Sequence, residues 1–198
     1  MTTRDEIRAA LHHMNDDWQM QTNYLDAETK FIYTCRSVGE IKNRCLQNSV
    51  DFNYALHRWY NFNCAQIHED IFLKNGARKE PETYHKSIDF YLFDVPFDLK
   101  TTYFPKAIKE KTSYNLTSRE GKNKLISWLY NHQSKQGRFH LENRLFIVCE
   151  NLESKSDFEA IEERICRFID FSKRFGFNKI MIENKSIYSD VIWIPNRK

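Results

Sequence analysis

The sequence predicts an α/β fold in which a central mixed β-sheet is flanked by helices, with extra helices at the N-terminal end. Two aromatic, β-prone runs within residues 87–106 predict a β-hairpin. The continuous apolar run 144–149 predicts a central strand covered on both faces. Apolar residues at three- and four-residue spacing predict a long helix over 51–74, and a second helix is predicted over 156–175.

Length and composition predict one domain without linkers or internal repeats. At 198 residues the chain can bury a full core, and its 15% aromatic content with only five glycines and four prolines argues against disorder. We divide it into an N-terminal helical addition (1–50), a core (51–150) and a C-terminal helix with strands that complete the sheet (151–198).

Several features predict a cytoplasmic protein that does not act at a membrane. No apolar stretch approaches a membrane span, and the first residues lack the apolar segment of a secretory signal. The five cysteines are odd in number, widely spaced and without a Cys-x-x-Cys pair, which favours reduced thiols over disulfides or a zinc site.

The elements before the hairpin are helical. Short helices are predicted near 3–20 and 38–48, with a loop or strand around 30–33 between them. The helix over 51–74 should end at Asn75-Gly76, a common C-terminal signal. Its main buried stripe is predicted to comprise Leu56, Trp59 or Tyr60, Asn63 or Cys64, Ile67 and Ile71.

The predicted hairpin comprises strands 84–93 and 96–104, joined around Asp94-Val95-Pro96. An even-numbered connection there places Asp89 opposite Lys100 and Tyr91 opposite Asp98. Because side chains alternate with period 2, Asp89, Asp98 and Lys100 then share one face. The other, apolar face would carry Ile88, Phe90, Leu92, Phe97 and Leu99.

Two carboxylates and one ammonium on a strand pair are the groups of a divalent-metal site. A hard cation such as Mg²⁺ takes oxygen ligands, lowers the pKa of bound water and offsets charge on a phosphoryl group. The alternative is three solvated charges on an exposed face. The Asp/Glu-x-Lys pattern occurs six times in the chain. Only the copy at Asp98 lies on the second strand of a predicted hairpin whose first strand carries an acid on the same face. The other copy in strand-like sequence is Glu183-Asn184-Lys185.

A basic segment follows the hairpin. Between 102 and 138 there are eight cations and only two acids. The segment would form a basic loop (105–117) and then a helix from about 118 to 137, and it suits a phosphate backbone. The alternative is a solvated loop and helix face. The cations are Lys106, Lys109, Lys111, Arg119, Lys122, Lys124, Lys135 and Arg138.

Further strands are predicted at 179–182 and 191–194.

The region 51–150 resembles the PD-(D/E)XK superfamily of restriction-endonuclease-like phosphodiesterases, whose core is a helix, a three-strand meander, a crossover helix and a further strand. Asp89 matches the first acid, Asp98 the second and Lys100 the lysine. Ile88 stands where the motif has proline, and the second acid is Asp rather than Glu. The resemblance implies that Asp89, Asp98 and the Leu99 carbonyl hold Mg²⁺, with Mn²⁺ able to substitute, and that Lys100 positions the attacking water.

Glu69 is out of place on the long helix, because it shares a face with Ala55, Trp59 and other apolar residues. Unpaired burial of a carboxylate is costly, so Glu69 must reach solvent, form an ion pair or bind a cation. Members of the superfamily often draw an extra metal-site acid from this helix, which makes Glu69 a candidate ligand. The alternative is a side chain at the stripe edge that points to water. Gln133 resembles an auxiliary polar residue that some members direct at the site.

The sequence therefore predicts a metal-dependent phosphodiesterase that cleaves nucleic acid, and specifically a DNA endonuclease of restriction type. The cations Lys106, Lys109, Lys111, Arg119, Lys122 and Lys124 would bind flanking phosphates. Double-strand cleavage would favour a homodimer. One alternative is a nuclease-fold module without turnover that binds nucleic acid or a protein. Another is an unrelated α/β protein with ordinary surface charges on the hairpin.

Overall fold

The computed structural model describes residues 2–15, 22–82, 87–108, 114–133 and 142–197. The chain divides into two compact units, Met1–Ile67 and His68–Lys198. None of the helices in the described parts of the chain combines the length and apolar character that a membrane span requires.

The first unit is helical. Side chains of Thr3, Thr22 and Ser37 accept backbone N–H groups and so begin its first three α-helices. The segment Lys30–Tyr33, predicted as a loop or strand, is instead a 3₁₀ helix that follows α2 after one residue. The helices are α1 (Arg4–Ala9), a 3₁₀ helix (Ala10–His13), α2 (Asn23–Glu28), the 3₁₀ helix Lys30–Tyr33, α3 (Val38–Asn48) and α4 (Phe52–Lys74), whose last seven residues belong to the second unit.

Helix α4 confirms the long helix predicted over 51–74, and every residue of the predicted stripe is buried. Burial is wider than one stripe, because residues 54–60 are buried without exception. Polar side chains of residues 54–60 find hydrogen-bond and ion-pair partners within the first unit. Trp59 donates its indole N–H to the Cys35 carbonyl at 2.9 Å, and the Arg58 guanidinium pairs with Asp26 at 3.1 Å.

The second unit contains a six-stranded mixed sheet, which confirms the predicted α/β class. The strand order is β1-β2-β3-β4-β6-β5, with β3, β4 and β6 parallel and the other pairs antiparallel. The strands are β1 (Arg78–Lys79), β2 (Phe90–Leu92), β3 (Val95–Tyr103), β4 (Arg144–Cys149), β5 (Lys179–Ile182) and β6 (Lys185–Ile194).

Strand β4 is buried at all six positions, as its apolar run predicts. Helix α5 (Arg119–Gln133) connects β3 to the parallel β4. The helix predicted over 156–175 is α7 (Phe158–Phe175), preceded by the short helix α6 (Leu152–Ser156). The two are separate because the Asp157 side chain accepts the Ala160 N–H at 3.0 Å and begins a new helix.

The β2–β3 hairpin has a different register from the prediction. Its connection is Phe93-Asp94, with φ of 49° and 63°, rather than a turn around 94–96. Two residues in the left-handed region match the twist of the flanking strands, whereas Pro96 has a fixed φ and belongs to β3.

The predicted pairs Asp89–Lys100 and Tyr91–Asp98 are therefore wrong. Tyr91 lies opposite Pro96, two residues from the predicted partner, and pairing begins at Phe90–Phe97, so Asp89 precedes the regular ladder and donates its N–H to the Phe97 carbonyl. A shift of two preserves the face of each side chain within the paired segment. Accordingly Phe90, Leu92 and Phe97 of the predicted apolar face are buried.

Candidate functional site

Asp89 lies one residue before β2 and is fastened to β3 at two points. Its backbone N–H donates to the Phe97 carbonyl at 2.9 Å. Its carboxylate Oδ2 accepts the Leu99 N–H at 2.6 Å. Leu99 lies on the part of β3 that extends past its pairing with β2, which covers only Val95–Phe97. The side chain thus takes the place of a strand partner for Leu99, which fixes the carboxylate beside β3.

Asp98 is nearly inaccessible, with 7% of its side chain exposed, and both of its oxygens have cationic partners. Lys100 Nζ bonds to Oδ1, and Arg144 Nε donates to Oδ2 at 2.8 Å. Arg144 is the residue of β4 paired in register with Asp98, and its guanidinium also lies over the Tyr130 ring, 5.2 Å from the centroid. Sequence reasoning missed Arg144, whose only signal is a cation at the start of a buried strand.

The carboxyl groups of Asp89 and Asp98 are neighbours. Burial raises the pKa of Asp89, the Leu99 N–H lowers it, the charge of Asp98 raises it and the charge of Lys100 lowers it. A proton or a cation between the two groups lowers the free energy of such a pair. The structure thus brings Asp89, Asp98 and Lys100 together.

Glu69 belongs to the part of α4 in the second unit and is half-buried. Its carboxylate pairs with Lys79 of β1 at 3.5 Å. Burial raises its pKa, Lys79 opposes this, and the charge of Asp89 raises it again. Of the three alternatives for Glu69, which were solvent, an ion pair or a bound cation, the structure shows an ion pair. The charge of Asp89 also acts on the Glu69 carboxylate.

The donor set fits a hard cation with few protein ligands. Within the described ranges, no group of three or more His, Cys, Asp or Glu side chains is placed to hold a metal ion. The pair Asp89–Asp98 remains, and Mg²⁺ commonly uses one or two carboxylates together with water and substrate phosphate. Since the N–H and C=O of a strand residue point to the same side, the Leu99 carbonyl faces Asp89.

Two of the predicted phosphate-binding lysines on α5 have carboxylate partners. Lys122 pairs with Asp190 at 3.2 Å, and Lys124 pairs with Glu120 one helical turn away at 2.7 Å. A phosphate would have to compete with these contacts. Gln133 is the last residue of α5.

The other predicted cations are divided between described and undescribed segments. Lys106 is exposed in the 3₁₀ helix Lys106–Ile108. Arg119 begins α5 and donates its Nε–H to Asn178 Oδ1 at 2.9 Å. Lys109 and Lys111 lie outside the described residues, as do Lys135 and Arg138.

His68 lies on the predicted long helix, now α4, and is fully buried. Its Nε2 lies 3.1 Å from the Lys155 carbonyl and its Nδ1 lies 2.9 Å from Thr101 Oγ1. Burial lowers its pKa to about 3, so the ring is neutral at pH 7. A carbonyl only accepts, so Nε2 donates and Nδ1 accepts from the hydroxyl. The ring therefore joins α4, β3 and α6 as a structural contact.

The rival motif Glu183-Asn184-Lys185 is a hairpin connection. Glu183 and Asn184, with φ of 45° and 66°, form the two-residue turn between β5 and β6. This turn also explains why β6 begins at Lys185 and not, as predicted, at 191.

Replacement of Asp89 by Asn should change how stability depends on pH. Burial and Asp98 raise the folded-state pKa of Asp89 above its ordinary value of 3.8. At pH values between 3.8 and the raised pKa, the folded protein therefore binds more protons than the unfolded chain. Stability from this group is therefore lost as pH rises from about 4 through the raised pKa. Asn can still accept the Leu99 N–H but does not titrate. We expect urea denaturation in chelator to show Asp89→Asn gaining stability relative to wild type as pH rises. A relative loss over the same window would contradict the raised pKa.

Comparison of the chain with protein-family models, with curated proteins and with solved structures returned no match. Function must therefore be argued from the residues of the site.

Proposed function

We propose that this protein is a metal-dependent phosphodiesterase of the PD-(D/E)XK type that cleaves nucleic acid, specifically a DNA endonuclease of restriction type. One observation carries the proposal: the Asp89 carboxylate is held on the Leu99 N–H, next in sequence to Asp98, whose carboxylate carries the Lys100 ammonium. Adjacent carboxylates beside a lysine are a costly arrangement for stability alone and a useful one for binding a divalent cation.

The order of elements supports a restriction-endonuclease-like core. Helix α4 precedes the antiparallel β1–β2–β3 meander, α5 crosses over, and β4 joins parallel to β3. The same order of helix, meander, crossover helix and strand is described for the superfamily core, which supports the proposal. Asp89 lies one residue before β2 and Asp98 lies on β3.

Each residue of the site has a distinct task in this mechanism. Asp89 and Asp98 would hold Mg²⁺ or Mn²⁺, with the Leu99 carbonyl on the same side of β3. When bound, the cation would act as a Lewis acid and lower the pKa of a bound water. Lys100, 45% exposed, would leave Asp98 to orient the attacking water and offset charge on the phosphoryl oxygens. Arg144 would keep the Asp98 carboxylate in place as Lys100 moves.

The basic segment supports a nucleic-acid substrate. Lys106 and Arg119 follow the site in sequence and are exposed. Phosphate contacts from such side chains position a nucleic acid and give binding a strong salt dependence. We accordingly expect binding to weaken as the salt concentration rises.

A module that keeps this fold without turnover is the second candidate function. The observation that favours it is the closed set of ion pairs around Asp98, whose oxygens already contact Lys100 and Arg144. Such a carboxylate is neutralised without a metal, as in a purely structural ion pair. This module would bind nucleic acid or a protein partner.

Cleavage assays separate the two functions. Purified protein is incubated with supercoiled plasmid and with single-stranded DNA in Mg²⁺, in Mn²⁺ and in chelator. The nuclease proposal requires cleavage that depends on metal, together with a rise in melting temperature on adding Mn²⁺. Binding of DNA with no cleavage and no metal-dependent stabilisation would favour the second function.

A further inference from the structure

A groove of about 680 Å³ follows the outer side of α5. Its helical lining forms two rows with four-residue spacing, so the side chains of each row lie above one another on the helix. Between positions 120 and 132 these rows extend about 18 Å at 1.5 Å per residue. The rows are Glu120, Lys124, Trp128 and His132, and Arg119, Asn123, Ser127 and Asn131.

Two aromatic rings stack at the C-terminal end of the groove. The Trp128 and His132 rings are nearly parallel, with centroids 4.1 Å apart and an interplanar angle of 7°. Trp128 packs against the core beneath α5, whereas His132 is exposed. His132 Nδ1 lies 2.8 Å from the Trp128 carbonyl and therefore donates to it, which holds the imidazole parallel to the indole. The pair presents an ordered planar ring at the surface.

The N-terminal end of the groove carries a small excess of positive charge. Arg119 and Lys124 supply two cations against one acid, Glu120, which pairs with Lys124. Lys124 is one helical turn, about 6 Å along the axis, from Trp128. A phosphate near Lys124 and a base on the stacked rings are thus within the reach of one nucleotide. Side chains of Asn123 and Asn131 lie along the path and can bond to base edges.

We propose that this groove binds single-stranded nucleic acid, with an unpaired base stacked on the Trp128–His132 pair and its phosphates toward Arg119 and Lys124. The inference deepens the proposed function, on which it rests for the class of ligand. An aromatic platform beside a cationic track is how sequence-tolerant single-strand sites are built. A duplex fits less well, because its bases stack on one another and must be unstacked to reach a side-chain ring.

The test is fluorescence anisotropy of a fluorescein-labelled 20-nucleotide DNA, single-stranded or annealed to its complement, in chelator so that no metal-dependent cleavage occurs. We expect the single strand to bind, and we expect binding of the duplex, whose bases stay stacked, to be unchanged in His132→Ala. His132→Ala should weaken single-strand binding about 5- to 150-fold, the range for loss of one base–aromatic stack. The exposed His13→Ala, in the first unit, is the matched control and should bind like wild type.

A second measurement keeps the test independent of any folding defect. Trp128→Phe retains a planar ring for packing, so its melting temperature should stay near that of wild type. Of the four tryptophans, Trp128 should account for the fluorescence quenching seen when single-stranded DNA is added. Quenching should therefore disappear in Trp128→Phe while anisotropy still reports binding.

Three outcomes would overturn the inference: no binding of the single strand, unchanged single-strand binding by His132→Ala, or an equal loss of duplex binding in that variant. Binding of a protein partner by this groove, with no affinity for DNA, would belong to the first outcome. Because the measurement needs no metal, its failure would leave plasmid cleavage intact. Conversely, a protein that does not cleave DNA can still bind the single strand in this groove.

Discussion

Lys100→Ala should reduce metal-dependent cleavage about 100- to 1000-fold, the loss typical for removal of one preorganised group that stabilises transition-state charge. The ammonium is the only group of the proposed site that would act on the attacking water without holding the cation. Nearly half of its side chain is exposed, so folding should be retained. The initial rate of supercoiled plasmid conversion in Mg²⁺ measures the effect, and circular dichroism checks the fold.

The chain provides a matched control for this substitution. Lys185 has the same Asp/Glu-x-Lys spacing, but it follows the Glu183-Asn184 hairpin turn. Lys185→Ala should therefore cleave like wild type and bind DNA like wild type. If Lys100→Ala retained full activity while Lys185→Ala lost it, the reaction would take place at the β5–β6 turn and the proposed site would be wrong.

Arg144→Met should lower the free energy of unfolding by about 3–5 kcal/mol, because it leaves the buried Asp98 carboxylate without one of its two cations. Only about a tenth of the Arg144 side chain is exposed, so water cannot replace the lost contact. Lys100 can compensate only in part, since it bonds to the other oxygen of Asp98. Urea denaturation at pH 7 in chelator measures the change.

A double-mutant cycle identifies the cause of that loss. Asp98→Asn removes the charge that Arg144 balances, so the two substitutions together should cost less than the sum of their separate costs. Additive costs would mean that Arg144 stabilises the fold through Tyr130 and its other packing contacts rather than through Asp98.

The shared face of Asp98 and Lys100 could be predicted from the sequence, since period-2 alternation survives any even change in register. The register itself could not, because it depended on left-handed backbone at Phe93 and Asp94. Aromatic residues carry no preference for that conformation, whereas a proline nearby suggests a turn of its own.

The residues that contact the site could not be predicted from the sequence for a different reason. Arg144 meets Asp98 only because β4 pairs in parallel with β3 across an intervening helix, 46 residues away in the chain. His68 likewise meets Thr101 only because the part of α4 in the second unit, residues 68–74, packs on the sheet. Local periodicity places a residue on a face but says nothing about which distant element covers that face.

Strand β1 has a consequence for self-association. It borders the sheet and is only two residues long, and both residues are cationic and exposed. Arg78 lies over the Tyr91 ring and Lys79 pairs with Glu69, so neither is easily moved aside. Short, positively charged border strands discourage the backbone of another molecule from extending a sheet and so limit aggregation. A dimer that cuts both strands of a duplex would therefore have to assemble through a different surface.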